Sequence, residues 1–348
     1  MNHYREPATA MVAMERHSEQ MTAAFITELG PPDAIRVGPL PVPTAGPEEV
    51  LVRVEAVAVN HVDTFVRSGV YRTELTFPFV IGRDLVGAVA QLGPGVIAFQ
   101  PGQRVWCNSL GHNGRQGSFA EYAVVPADRL YPLPDGVDPV NAVSILHTAA
   151  TAYIGLFRAA RAAAGETVVV GRGGGVADAA VQLAAATGAR VIAVDRAENA
   201  DWCRACGADE VLDRDDAELV KKLAALAPGG VDVFWDNSGR HDLEATVPLM
   251  AQGGRILLSA GLDSRAVLPV GPFYRRDLTI HGFVISNASV RDLTEAAEAI
   301  NQALASGRLR GRVRTQLPLA AAAEAHRLQE ARGHGAPPGR VVLTPTAP

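Results

Sequence analysis

The chain has 348 residues, a formal net charge of −5 and 48% hydrophobic residues in clear periodic patterns. That length implies two domains or one large one, and the patterning excludes a disordered chain. The mildly acidic balance, with no long Lys/Arg run, argues against nucleic acid or an anionic membrane surface as the main partner, and three cysteines (Cys107, Cys203, Cys206) are too few for a secreted disulfide framework.

Residues 1–20 carry scattered charges and no apolar core segment, so they read as a flexible extension rather than a signal peptide. Met21 opens the first strand pattern and is a candidate alternative start. No run approaches 18 apolar residues, so no membrane span is expected and the default location is the cytoplasm. From Met21 to about Pro134, short runs rich in Val, Ala and aromatics alternate with Gly and Pro clusters: TAAFITEL, EEVLVRVEAVAV, LVGAVAQLG, QRVWCNS, SFAEYAVVP, RLYPLP. This reads as a β-rich, mostly antiparallel unit.

The character changes near residue 140. DPVNAVSILHTAATAYIGLFRAARAAA has helical spacing. Strands ETVVVG, ARVIAVD, DEVLD, VDVFWDN and GRILLSAG then alternate with helices VADAAVQLAAATG, ENADWCRACG, DAELVKKLAALAP and HDLEATVPLMAQ. Alternation of this kind predicts a doubly wound parallel sheet. From about Ser289 come two helical segments and a terminal strand, RVVLTP. That ending suggests a return to the first unit. The expected division is a catalytic domain over 21–143, completed by 287–348, and a dinucleotide-binding domain over 144–286.

The glycines at 171, 173, 174 and 175 fall between a strand and a helix. Small residues there let the backbone approach a pyrophosphate, and the helix N-terminus supplies free N–H groups. Gly171, Gly174 and Ala177 fit a spacing variant of the dinucleotide fingerprint, with Gly175 and Val176 in the same turn. Asp195 ends the second strand, where a carboxylate accepts from the adenosine ribose and disfavours a 2′-phosphate. Arg196 follows it, placed to stack on adenine or to soften that rejection.

Taken together, AVAVNHVDTFVRSGVY, FPFVIGRDLVGAVAQLGPGV, FQPGQRVW, GSFAEYAVVP, TAATAY, the glycine turn and FYRRDLTIHGF resemble the medium-chain dehydrogenase/reductase superfamily. The nearest branch is the zinc-independent quinone oxidoreductases and enoyl reductases, and the likeness covers almost all of 21–348. It implies a GroES-like domain, a Rossmann domain, a nicotinamide in the cleft between them and a homodimer. Departures are Arg172, Ala177 and Asp195, where many relatives have an uncharged residue, Gly and no acid. The family leans to NADPH, whereas Asp195 leans to NADH.

Zinc-dependent relatives use a Cys and a His as catalytic ligands, and the match places Asn60 and Arg83 there. Neither suits Zn²⁺, so no metal is expected. Cys203 and Cys206, at i and i+3, read as packing residues rather than a redox pair or half a zinc site. The resemblance places Asn60, Asp63 and Tyr71 at the cleft, as holder of the nicotinamide ribose or substrate oxygen, neighbour and proton donor respectively. It puts Thr151, Ala260, Phe283 and Ile285 beside the nicotinamide. The expected activity is NAD(P)H-dependent reduction of a quinone or an activated C=C. A zinc-free alcohol or sugar dehydrogenase, and a dinucleotide-binding protein without turnover, remain as alternatives.

Overall fold

Val-rich runs cut by Gly and Pro clusters build the first unit, because β-branched residues pack well on pleated surfaces and the punctuation permits tight reversals. The computed structural model describes residues 19–171, 174–331 and 337–345, so most of the N-terminal extension, together with Arg172 and Gly173 of the glycine turn, lies outside the described residues. The unit contains β1 (Gln20–Ile26), β2 (Arg36–Pro41), β3 (Glu49–Ala58), helix α1 (His61–Ser68), β4 (Phe79–Val80), β5 (Leu85–Leu92), β6 (Arg104–Cys107), β7 (Tyr122–Pro126) and β8 (Tyr131–Pro132). β1 pairs antiparallel with β2 and β4, while β3 pairs antiparallel with β5 and β7.

Helix α2 (Pro139–Tyr153) starts where Pro139 presets the backbone and Asp138 Oδ1 accepts from Asn141 N at 2.7 Å. It runs on as a π-helical turn over Ile154–Ala159. The resulting 21-residue apolar helix has the length and composition of a membrane span, where the sequence reading expected no run near 18 apolar residues. In the fold, 72% of its apolar window is buried between the two units, so it is their shared core helix. Its alanine face lies on α3 (Gly175–Ala186), whose own Ala177, Ala179 and Ala180 allow close helix approach.

The parallel sheet is built from β9 (Thr167–Gly171), β10 (Arg190–Asp195), β11 (Glu210–Asp213), β12 (Val231–Asp236), β13 (Met250–Leu258) and β14 (Thr279–Gly282), in the order β11-β10-β9-β12-β13-β14. Helices α4 (Ala200–Ala205), α5 (Leu219–Leu226), α6 (Leu243–Thr246) and α7 (Val270–Tyr274) fall in its connections. The helix expected over HDLEATVPLMAQ is shorter than predicted: α6 gives way to a 3₁₀ turn carrying Pro248, and Met250 already begins β13. The last segment supplies α8 (Val290–Ala305), β15 (Val313–Pro318), α9 (Ala322–Glu330) and β16 (Arg340–Thr344). β16 pairs parallel with β15 and antiparallel with β3, so the C-terminus re-enters the first unit. The molecule is thus a GroES-like β-rich unit joined to a doubly wound Rossmann unit.

Candidate active site

The glycine turn sits where β9 hands over to α3. Gly174 is the N-cap with φ +96°, and among the described residues no side chain caps the helix. The first N–H groups of this 12-residue helix therefore carry their partial positive charge towards whatever lies in front of them. A Cβ on Gly175 would lie 3.0 Å from Thr148 Cγ2 and 3.5 Å from Arg340 Cδ. The cradle is thus walled by α2 on one side and by the first residue of β16 on the other. Val176 packs against the core formed by α2 and α3. A pyrophosphate fits this arrangement: glycine backbone, open helix N-terminus and an adjacent guanidinium.

At the far end of the cradle, Asp195 closes β10 and is buried. Its Oδ1 accepts from Arg196 N at 2.7 Å and Asn199 Nδ2 at 3.2 Å, and its Oδ2 lies 3.9 Å from the Cys203 thiol. Arg312 Nη1 reaches Asn199 Oδ1 at 3.2 Å, and Arg310 and Arg312 both stack on Trp202, each 5.2 Å from its ring. Asp195 thus lines a small pocket together with Asp178, with Arg196, Arg310 and Arg312 close by. Cys203 and Cys206 line this pocket as buried free thiols, and burial pushes each up to about 12.

The catalytic-side residues form a buried polar network. Asn60 is the N-cap of α1, and Asp63 Oδ2 accepts from Asn60 N at 2.7 Å in a capping box. The Asn60 amide is fully committed. Nδ2 donates to Asp84 Oδ2 at 3.0 Å and to Ala58 O at 3.3 Å, while Oδ1 accepts from Arg340 Nη2. Both ends of the Asn60 amide are thus engaged in the fold, and the side chain ties Asp84 to Arg340. Asp63 likewise spends a carboxylate oxygen on the cap rather than on a ligand. Burial raises Asp63 to about 7, with the neighbouring Asp84 adding to the shift; burial raises Asp84 to about 6.

Tyr71 is half-buried, its ring 6.1 Å from His112 and 5.9 Å from Arg83 Cζ. His112 Nδ1 lies 3.1 Å from Thr73 Oγ1, and His147 Nδ1 lies 3.1 Å from Asn108 O. Burial, aided by Arg83, holds His112 at about 4 and His147 at about 3, so both rings are neutral at ordinary pH. Thr151 Oγ1 donates to His147 O at 2.9 Å. Phe283 packs on Trp235 with rings 5.6 Å apart, and Ile285 is buried in the same core. Ala260 is exposed and its carbonyl accepts from His241 Nε2 at 2.7 Å. Arg340, Asp84, Thr148 and Asn108 escaped the sequence reading. The signal for two of them is a charge beside an apolar strand, in GRD before LVGAV and in GRVVLTP.

Among the described residues, no group of three or more His, Cys, Asp and Glu side chains converges as a metal site would. The sequence model of the alcohol dehydrogenase GroES-like domain matches residues 46–135, and that of the zinc-binding dehydrogenases matches 175–302. A quinone oxidoreductase of Rattus norvegicus is 30% identical over 312 residues, covering 88% of this chain and 93% of its own. One from Lama guanicoe is 30% identical over 329 residues, covering 93% and 97%. Among solved structures, an NAD-dependent alcohol dehydrogenase is 34% identical with a TM-score of 0.84, covering 94% of this chain and 100% of its own. A mycobacterial protein solved with NADPH is 31% identical with a TM-score of 0.80, covering 93% and 100%. With glycine cradle, β-rich partner unit and relatives in agreement, the chain belongs to the medium-chain dehydrogenase/reductase family, in its quinone oxidoreductase branch, and is an NAD(P)H oxidoreductase.

Proposed function

We propose that the protein reduces a quinone or the activated C=C of an α,β-unsaturated carbonyl with NAD(P)H, and does so without zinc. The observation that carries this reading is the pair of residues at the family's metal-ligand positions. Asn60 has its amide consumed by Arg340, Asp84 and Ala58, and Arg83 is a cation. A dication does not fit between them. Without a Lewis acid, oxidising an alcohol is disfavoured, whereas a conjugated acceptor spreads the incoming charge onto its own oxygen.

When bound, the cofactor supplies hydride. The chain's own residues do the rest. Gly171, Gly174, Gly175 and Val176 form the phosphate cradle with Arg340 at its wall. Asp195 and Arg196 face the adenosine end, so NADH is accepted at least as well as NADPH. Thr151, Ala260, Phe283 and Ile285 border the nicotinamide. Asn60 and Asp63 position the network beneath it, and Tyr71 lines the acceptor pocket. The site lies between a unit over 21–143, completed by 287–348, and one over 144–286. A homodimer is supported by β14, the outer strand of its sheet, flanked by exposed Val270, Tyr274 and Val284. Three buried free thiols agree with a cytoplasmic setting.

A panel of quinones, enones and alcohols, followed at the nicotinamide absorbance band, tests the reading together with elemental analysis. Turnover of quinones or enones with well under one zinc per chain is expected. One tightly held zinc per chain, or alcohol oxidation with no carbonyl-acceptor activity, overturns it; the latter favours the alternative that the 34% likeness to an alcohol dehydrogenase raises.

A further inference from the structure

Arg83 is a buried charge with little to answer it among the described residues. It is 2% exposed, yet among the described residues it has no ion pair within 4.0 Å. Its Nε and Nη2 are buried without a hydrogen-bond partner. Burying an unpaired guanidinium is costly, so a chain that does so leaves the group waiting for something. The surroundings say where it points. Gly82, at φ +111°, turns the chain in the left-handed region immediately before it, with no room for a side chain: a Cβ there would lie 2.3 Å from Phe119 Cδ1. The Arg83 carbonyl is tied down by Leu110 N at 3.0 Å. The guanidinium then lies behind the half-buried Tyr71 ring, at 5.9 Å.

The nearby groups leave the guanidinium unneutralised. Asp63 is the carboxylate in its field, but the Asp63 carboxyl caps α1 and is raised to about 7. His112 and His147 are neutral, and Arg115 adds a like charge. Asn108, beyond the β5–β6 pairing, has both side-chain polar atoms buried and unpartnered as well. Asp84, adjacent in sequence, links through Asn60 to Arg340 and so to the glycine cradle. The unpaired Arg83 donors thus lie near the Tyr71 ring on one side and next in sequence to the Asp84–Asn60–Arg340 network beside the glycine cradle on the other.

We propose that Arg83 is the oxyanion-binding residue of this enzyme: its buried guanidinium receives the carbonyl oxygen of the acceptor and takes the role a metal ion plays elsewhere in the family. The assignment rests on the reading of the protein as a quinone or enone reductase. Hydride adds to the β-carbon, the C=C π bond breaks and its electron pair passes to the carbonyl oxygen as an enolate. The nicotinamide is oxidised by two electrons, and the α-carbon takes a proton from water or Tyr71. Charge appears on oxygen only as the reaction proceeds, so a fixed guanidinium there favours the transition state over the bound substrate.

The experiment has two arms. Steady-state kinetics of wild type, Arg83→Met and Arg83→Lys on a matched quinone and enone form the first, with dinucleotide affinity and thermal midpoint measured alongside. Arg83→Met should lower kcat on the enone by about 100-fold with dinucleotide affinity unchanged, and Arg83→Lys should recover part of it. The second arm titrates 4-nitrophenol into each protein and reads the phenolate band. Wild type should bind phenolate over phenol and Arg83→Met should not, a readout independent of turnover. Should Arg83→Met not fold, Arg83→Lys and Arg83→Gln carry both arms. A Met or Gln variant that keeps near-wild-type kcat, or still selects phenolate, overturns the assignment. So does a loss confined to dinucleotide affinity. A wild type inactive on every carbonyl acceptor, but selecting phenolate through Arg83, overturns the proposed reaction and leaves the anion site standing.

Discussion

Replacing Arg340 by Met keeps most of the side-chain stem and removes the guanidinium. That group donates to Asn60 Oδ1 and lies fully buried in the field of Asp84 and Asp63. Removing one partner from a buried charge set costs about 3–5 kcal/mol. The orphaned Asn60 oxygen accounts for about 1–3 kcal/mol of this, and the remainder is electrostatic and so depends on pH. Asp84 titrates at about 6 and Asp63 at about 7 in the fold, above the usual aspartate value of 3.8. Between about pH 4 and 7 the folded chain therefore holds protons that the unfolded chain has released, and native stability falls as pH rises through that window. Loss of Arg340 pushes both carboxyls higher still. At about pH 8 the variant buries uncompensated negative charge and carries the whole penalty, whereas at about pH 5 the carboxyls are protonated and only the orphaned amide remains. Urea unfolding of both proteins at the two pH values, read as the midpoint shift at constant slope, measures the difference. An equal loss at both, or a larger one in acid, would show that Arg340 does not balance these carboxylates.

Gly155→Ala should destabilise the protein by about 1–3 kcal/mol, because the new Cβ would lie 2.5 Å from Trp235 Cη2 and 2.8 Å from Phe283 Cζ; an unchanged thermal midpoint refutes that packing. All three thiols are buried, with Cys203 and Cys206 raised to about 12, so a disulfide reagent should titrate none of them in the native protein and all three in denaturant. Asp195→Ser should raise the NADPH-to-NADH ratio of kcat/KM by at least about tenfold, and an unmoved ratio removes Asp195 from cofactor choice. Tyr71→Phe should cut kcat on an enone by at least about tenfold but on a quinone by only a few-fold, since reduced quinones need no carbon protonation; equal, full activity on both excludes Tyr71 from proton transfer.

The parallel sheet was legible because its strands are buried on both faces and therefore read as continuous apolar runs, as in TVVVG and RVIAVD. The return of the C-terminus was suggested by its helix-then-strand ending, and the strand, RVVLT, finds β3 and β15 as neighbours. What failed was local. β15, RVRTQLP in its setting, alternates weakly and exposes much of its length, so it carries no burial signal. α7 contains Gly and Pro, and its five residues form a helix through tertiary context rather than propensity. Residues 243–258 mix apolar side chains suited to either period, and Pro248 decides where the helix stops.

The site divided along a different line. Gly174 and Gly175 were legible because glycine is the residue a phosphate cradle requires, and their spacing is local. Asn60 was legible for its position but not for its partners in the fold, since an amide does not announce them. Those partners, Asp84 and Arg340, are separated from it by 24 and 280 residues and meet only after β16 docks on β3. The sequence holds a hint that periodicity misses: a charge at the edge of a run that is otherwise apolar must be paid for by a distant counter-charge or by a ligand. Arg340 meets the first condition through Asp84 and Asp63. Arg83, flanked by the apolar runs FPFVI and LVGAV, has Asp63 in its field but leaves Nε and Nη2 without a hydrogen-bond partner among the described residues, and those open donors separate a structural arginine from one placed to answer a substrate oxygen.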